Sequence, residues 1–124
     1  MLYWHHPLWR SGLVPISPAA AVFWEIASEF GVDVVVNGHD LHYERLAPLD
    51  AIGQVDRAAG IRPFIVGTGC AWMFEFGEPL PATEVRDNST LGVIKFSLYP
   101  NSYAWKFIST EREGFSDSGS QACH

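Results

Sequence analysis

Apolar positions with helical spacing mark the clearest element of the chain. Ser17 and Pro18 are a helix start, with serine as the N-cap and proline at the first helical position. Apolar residues then recur at helical intervals until Gly31 supplies a C-terminal stop. The pattern predicts a helix over residues 18–30. We expect the helix to lie on a sheet through one apolar stripe, formed by Val22, Phe23, Ile26 and Phe30.

Shorter apolar runs predict strands. Residues 1–4, 32–36 and 61–66 are apolar or β-branched, and the last two runs are bounded by glycine-containing turns. In residues 91–109, apolar and polar positions alternate on both sides of a Pro-Asn-Ser turn, and this pattern predicts a β-hairpin. Its apolar faces carry Ile94, Phe96 and Leu98 on one strand and Tyr103, Trp105 and Phe107 on the other. A helix that leads directly into a strand indicates an α/β fold, and we expect one sheet-based core.

The remaining segments have no clear period. Residues 51–60 are predicted as a surface loop, residues 70–90 as irregular, and residues 110–124 as a polar C-terminal tail. A chain of 124 residues is long enough for one domain with its own core. The predicted organisation is therefore a body over residues 1–109 followed by the tail.

Charge and cysteine content narrow the functional classes. A formal net charge of −6, with eight Lys and Arg together, does not match a nucleic-acid partner. The apolar runs are too short to span a membrane, and the N-terminus has no signal-peptide pattern, so localisation stays open. Cys70 and Cys123 are too few for a disulfide framework, which leaves either two thiols or one bridge. A Cys70 nucleophile is disfavoured because no base or orienting group is identifiable.

Histidines are the main candidates for chemistry. His5 and His6 follow the first predicted strand, and His39 and His42 follow the strand at 32–36. Imidazole suits Zn, Fe, Mn and related metals. Because α/β folds place their sites at the carboxyl ends of buried strands, two histidine pairs at two strand ends indicate a metal site. His124 is expected to be a solvated terminal residue.

Several motifs carry a resemblance to a known family. The Tyr-Trp-His-His-Pro run at residues 3–7 resembles the strand-end histidine motif of calcineurin-like metallophosphoesterases. The Gly-His-Asp segment at 38–40, with Tyr-Glu-Arg at 43–45, resembles their Gly-His-x-His block. Three further segments are similar to the family's next strand, its closing hairpin and its tail, and they follow in the same order at residues 61–69, 88–105 and 117–124. The chain therefore resembles the C-terminal half of a bacterial, purple acid phosphatase-like member. This implies half of a sandwich of mixed β-sheets with flanking helices, with residues 1–109 as a partial phosphoesterase domain.

The resemblance implies a hydrolase of phosphate esters that uses two divalent or trivalent metal ions, Fe, Zn or Mn. Carried over residue by residue, it implies that His5 and His39 bind the same metal ion. His6 falls on a position that is not a direct ligand in the family. Asp40 falls on a variable position, with no implied role beyond contact with the ligands. The side chains of Tyr43, Glu44 and Arg45 are expected to lock the loop by packing and ion pairing.

Two departures limit this expectation. Leu41 stands where the family has its second histidine, and His42 follows one residue later. A shift of one residue in an extended chain reverses the direction of the side chain, so His42 would be a displaced ligand only if the loop bulges. The upstream Asp-x-His, Gly-Asp-x-x-Tyr and Gly-Asn-His blocks are absent, and with them the leaving-group histidine. No catalytic residue is assigned, and at most one partial metal site is expected.

Two functions remain open from the sequence. One is a metal-dependent phosphoesterase that needs a missing N-terminal segment or a second chain. The other is a non-catalytic truncated remnant or an interaction module of the same fold. In both, half of a sandwich should leave an apolar surface uncovered.

Overall fold

The computed structural model describes residues 1–69 and 72–124, and these contain one helix and eight strands in two sheets. The α/β fold class and the packing of two sheets are confirmed, and the first of the two sheets is mixed. The strand predicted at 61–66 and the hairpin predicted at 91–109 lie close to their predicted positions. The elements are β1 (Leu2–Trp4), α1 (Pro18–Glu29), β2 (Val34–Asn37), β3 (Tyr43–Leu46), β4 (Arg62–Val66), β5 (Thr83–Asp87), β6 (Gly92–Tyr99), β7 (Ser102–Ser109) and β8 (Ser118–Ala122).

The first sheet has the order β1-β2-β4-β3-β5. Its strands β1, β2 and β4 run parallel, since α1 crosses over between β1 and β2, whereas β3 and β5 are antiparallel to their neighbours. Asn37 Nδ2 donates a hydrogen bond to the carbonyl oxygen of Trp4 at 2.9 Å, and the Gly38 N–H donates to the carbonyl oxygen of His5 at 3.1 Å. These bonds hold the carboxyl ends of β1 and β2 side by side.

The second sheet, β6-β7-β8, is antiparallel and packs on the first. Trp105 and Phe107 of β7 share an aromatic core with Phe64 of β4 and Tyr43 of β3. The predicted hairpin therefore exists and shares a core with the strands. It belongs to a separate sheet, however, and α1 packs elsewhere. The expectation of one sheet-based core was therefore wrong, because the buried residues form two clusters, one under α1 and one between the sheets.

Helix α1 buries the opposite face from the one predicted. Its Ala20, Trp24 and Ala27 are at most 1% exposed and pack on the first sheet. The Trp24 indole also donates a hydrogen bond to the carbonyl oxygen of Asp50 at 3.0 Å. The predicted buried stripe is instead 46–76% exposed: Val22, Phe23, Ile26 and Phe30. Because the helix is apolar on both sides, periodicity could not decide which side faces this core.

Two segments are more regular than predicted. Residues 110–124 are not simply a polar tail, because Ser118–Ala122 pair with β7 as strand β8. This strand consists of small and polar residues, so it lacks the hydrophobic signal of a strand. Thr83–Asp87, in the segment predicted as irregular, forms β5.

Cys123 packs beside the aromatic core, while Cys70 lies outside the described residues. The described part of the chain contains no helix long and apolar enough to cross a membrane.

Candidate metal site

The ends of β1 and β2 bring two predicted ligands into contact. His5 follows β1, His39 follows β2, and the atoms His5 Nε2 and His39 Nδ1 are 3.2 Å apart. Two Zn–N bonds of about 2.0–2.1 Å can connect nitrogens up to about 4 Å apart, so this separation fits two ligands of one ion. The two rings meet nearly edge to face, with centroids 5.0 Å apart.

His6, for which the resemblance implies no ligand role, joins the same cluster. One ligand atom from each of His5, His6 and His39 lies within 4.8 Å of the others. The ring centroids of His6 and His39 are 4.1 Å apart. The Trp4 indole donates a hydrogen bond to the carbonyl oxygen of His6 at 2.8 Å and so fixes the turn after β1. The doubled histidine before Pro7 was the only sequence signal for this third imidazole.

A tight turn orients His39. Its φ angle is 64°, in the left-handed region, which histidine occupies more readily than most residues with a branched or bulky side chain. The Asp40 N–H donates to the carbonyl oxygen of Gly38 at 2.8 Å, and the His42 N–H donates to the carbonyl oxygen of Asp40 at 2.9 Å. The turn directs His39 toward His5 and places the next residue in the protein interior.

Asp40 anchors this turn. Its carboxylate accepts a hydrogen bond from Arg10 at 2.6 Å, and both side chains are buried. A Cβ at Gly12 would lie 1.8 Å from Asp40 Oδ2, and one at Gly67 would lie 1.9 Å from the Asp40 carbonyl oxygen. Only glycine fits at either position without displacing Asp40. Asp40 thus positions the loop of His39 and is itself outside the histidine cluster.

His42 does not lie in the cluster. Its ring is fully buried, contacts the Phe76 ring at a centroid distance of 4.6 Å, and has Nε2 3.7 Å from Glu44 Oε2. Burial raises the pKa of Glu44, but His42 and the bonds donated by the Ser11 N–H and the Thr83 hydroxyl outweigh burial and lower it. The loop therefore does not bulge so as to make His42 a displaced ligand.

The Tyr43-Glu44-Arg45 segment has the predicted structural role. Tyr43 and Arg45 donate hydrogen bonds to Asp117 at 2.6 and 2.7 Å, and the Trp105 indole donates to the same carboxylate at 3.1 Å. Burial raises the pKa of Asp117, but the hydrogen bonds from Arg45 and Tyr43 more than compensate and lower it. Asp117 thereby links the two sheets.

His124 is not merely solvated, because its Nδ1 lies 3.1 Å from Asp33 Oδ1. His124 contacts a carboxylate and does not belong to the histidine cluster. Within residues 1–69 and 72–124, the one group of side chains that could hold a metal ion consists of these three histidines and contains no carboxylate.

The surroundings of His39 favour the neutral form of its imidazole, which is the form that binds metals. Burial and the neighbouring His6 lower the pKa of His39, which keeps its imidazole neutral at neutral pH. Neutral imidazole nitrogen is a ligand for Zn, Cu, Ni, Co and Fe ions. The donor set therefore fits one nitrogen-bound ion, and it offers nothing to bridge a second.

Neither a protein-family model nor a curated protein matches this sequence. The structure is similar to a purple acid phosphatase isolated from yellow lupin (Lupinus luteus) seeds, with a TM-score of 0.79 and 16% identity over 96% of this chain and 24% of that one. It is also similar to GAP50, the anchor in the inner membrane complex of Plasmodium, with a TM-score of 0.69 and 18% identity over 91% of this chain and 33% of that one.

These similarities define the class of fold. The chain has the fold of the C-terminal part of a purple acid phosphatase. It spans 24% of the lupin phosphatase and 33% of GAP50, so most of each larger structure has no counterpart in these residues.

Proposed function

We propose that this chain carries the histidine part of a metallophosphoesterase-type metal centre, and that the completed centre hydrolyses phosphate esters. One observation carries the proposal. His5 Nε2 and His39 Nδ1 are 3.2 Å apart at adjacent parallel strand ends, in a chain whose fold is similar to that of a purple acid phosphatase. These are also the two residues for which the sequence resemblance implies a shared metal ion.

Each part of the chain has a role in this proposal. A bound metal ion would supply a Lewis acid for a phosphoryl oxygen. His5 and His39 would hold that ion, and the neutral imidazole of His39 suits it. The buried Arg10–Asp40 pair keeps the His39 turn in place. The substrate class is a phosphate ester, since the family that the sequence resembles acts on such esters.

The centre needs residues from outside this chain. A two-metal phosphoesterase requires carboxylates, and none joins the histidine cluster in residues 1–69 and 72–124. We propose that an N-terminal segment beyond these residues supplies them by pairing with β1. In the described residues, β1 is an edge strand of its sheet, and its Leu2 and Tyr3 are 42% and 80% exposed. A parallel strand added there would end beside His5.

A second function has its own support. Leu41 occupies the position of the family's second histidine, and an apolar side chain cannot bind a metal ion. The exposed apolar residues of α1 and β1 suit a binding surface. A non-catalytic interaction module of the same fold is therefore the alternative, and the similarity of the fold to that of GAP50, an anchor protein, favours it.

The test starts with the nucleotide sequence upstream of the Met1 codon. We expect an in-frame segment that encodes the missing Asp, Asn and His blocks. The longer protein should hydrolyse an aryl phosphate when supplied with Zn, Mn or Fe, whereas the 124-residue chain should not. His5→Ala and His39→Ala should each abolish this turnover, and His124→Ala should leave it unchanged.

Two results would contradict the proposal. A folded, metal-loaded longer protein without turnover would favour the interaction module. An upstream stop codon, together with no co-purifying chain that supplies the carboxylates, would exclude a completed centre.

A further inference from the structure

We propose that His6 is a third ligand and that His5, His6 and His39 together form a three-imidazole site for one divalent transition-metal ion. The inference rests on the metal centre of the proposed function and adds to it a ligand, a donor number and a class of ion. It does not depend on hydrolysis, because all three imidazoles belong to this chain.

The environment of His6 is the first argument. Its Nδ1 is buried and has no hydrogen-bond partner within the described part of the chain. A buried polar atom without a partner costs free energy, on the order of 1–3 kcal/mol. Pro7, which is buried, restricts the backbone of His6 to extended conformations, and the Trp4 indole holds its carbonyl group. The backbone of His6 is therefore held in place, its ring lies beside that of His39, and its Nδ1 has no protein partner among the described residues.

Distances supply the second argument. The ligand atoms of the three rings lie within 4.8 Å of one another, and one pair is already at 3.2 Å. Three nitrogens at about 2.0–2.1 Å from one tetrahedral ion are separated by about 3.3–3.4 Å. A bound ion would draw the more widely separated nitrogens together by rotation of the rings about their side-chain bonds.

Ligand chemistry decides which ion fits. Three imidazoles without a carboxylate match Zn²⁺, Co²⁺, Ni²⁺ or Cu²⁺ and not Mg²⁺ or Ca²⁺, which prefer oxygen ligands. Three histidines with an open fourth position are one of the arrangements of catalytic zinc. A cavity of about 180 Å³ borders His5 and His6 on the side of Ser17 and Ala20.

The competing explanation is a hydrogen bond. His5 and His39 at 3.2 Å can share one proton between their nitrogens, with His6 as an adjacent ring that binds nothing. The two explanations differ in whether His6 matters for metal binding. A titration with Co²⁺ alone, read by its visible absorption, separates them.

We expect the 124-residue chain to bind one Co²⁺ and to show a visible spectrum of nitrogen-ligated cobalt. Loss of a residue that merely orients a ligand already lowers metal affinity by about 10–100-fold. His6→Gln should therefore weaken Co²⁺ binding by at least about 100-fold, as should His5→Gln and His39→Gln. The matched control is His124→Gln, which lies at the Asp33 pair and should bind Co²⁺ like the unmodified chain.

A second measurement uses the unmodified chain, in case a variant does not fold. Of the five histidines, Zn²⁺ should perturb the imidazole nitrogen resonances of three, His5, His6 and His39. Absence of Co²⁺ binding, unchanged binding by folded His6→Gln, or an unperturbed His6 resonance would overturn the inference. If all three imidazoles bind and the longer protein still lacks phosphoesterase activity, only the proposed function fails.

Discussion

Arg10 and Asp40 form an ion pair in the interior of the protein, with Arg10 Nη1 2.6 Å from Asp40 Oδ2 and side chains that are 2% and 0% exposed. Arg10 lies in the loop that follows His5 and His6, and Asp40 directly follows His39. The pair therefore ties together the two loops that carry the histidine cluster. Arg10 also donates a hydrogen bond to the carbonyl oxygen of Val14, which fixes its guanidinium group.

Removal of one partner of this pair should destabilise the fold. Arg10→Met leaves the Asp40 carboxylate buried without its cation, a change that typically costs about 3–5 kcal/mol. We expect the free energy of unfolding in urea to fall by about that amount. Arg112→Met, at an exposed arginine, is the matched control and should change the value by less than about 0.5 kcal/mol. A similar small change in both variants would show that the pair does not anchor the loops.

The bonds to Asp117 should make stability depend on acid pH. Because the folded-state pKa of Asp117 is lowered, its contribution is complete above the unfolded pKa of about 3.9 and is lost as pH falls through the folded value. Asp117→Asn should cost about 1.5–3 kcal/mol of unfolding free energy at neutral pH, and the difference from the unmodified chain should shrink below about pH 4. Glu111→Gln, at an exposed carboxylate, should show no such trend. A difference independent of pH would refute this role.

The uncovered apolar residues should make the isolated chain associate. Phe23 and Ile26 of α1 are 50% and 46% exposed, and the Phe23 ring is 5.7 Å from that of Trp4, at the end of β1. Light scattering on dilution should reveal oligomers or aggregates, and an apolar dye should bind. The double variant Phe23→Glu and Ile26→Glu should shift the chain toward monomers. Ile52→Glu, at an exposed residue in the 51–60 loop, should not. A dilution-resistant monomer that binds no dye would contradict the account.

The sequence was sufficient to predict those elements whose hydrophobic pattern is compatible with one buried arrangement. The β-branched run of β2 and the alternation of β6 and β7 each have a single buried arrangement, and both were found. Helix α1 was found as well, but with the wrong face buried. A helix with large apolar residues on two sides can pack against two different partners. In the described residues, only the side with Trp24 is covered.

The candidate site could be predicted in part. His5 and His39 could be placed together because parallel strands end at the same edge of a sheet. The position of His6 in the cluster could not be predicted, because it depends on the turn before Pro7 and on the hydrogen bond from the Trp4 indole, which are tertiary features. Strand β8 was missed because its sequence has no apolar pattern. It is held instead by its backbone pairing with β7 and by the hydrogen bonds to Asp117, which directly precedes it.

The most direct measurement of the central claim is a zinc anomalous signal in crystals of the chain grown with Zn²⁺. The account predicts a peak within about 2.0–2.1 Å of His5 Nε2 and His39 Nδ1, with a nitrogen of His6 at a similar distance. No peak at these atoms with zinc in excess, or a peak only at the His124–Asp33 pair, would contradict a metal site at the ends of β1 and β2.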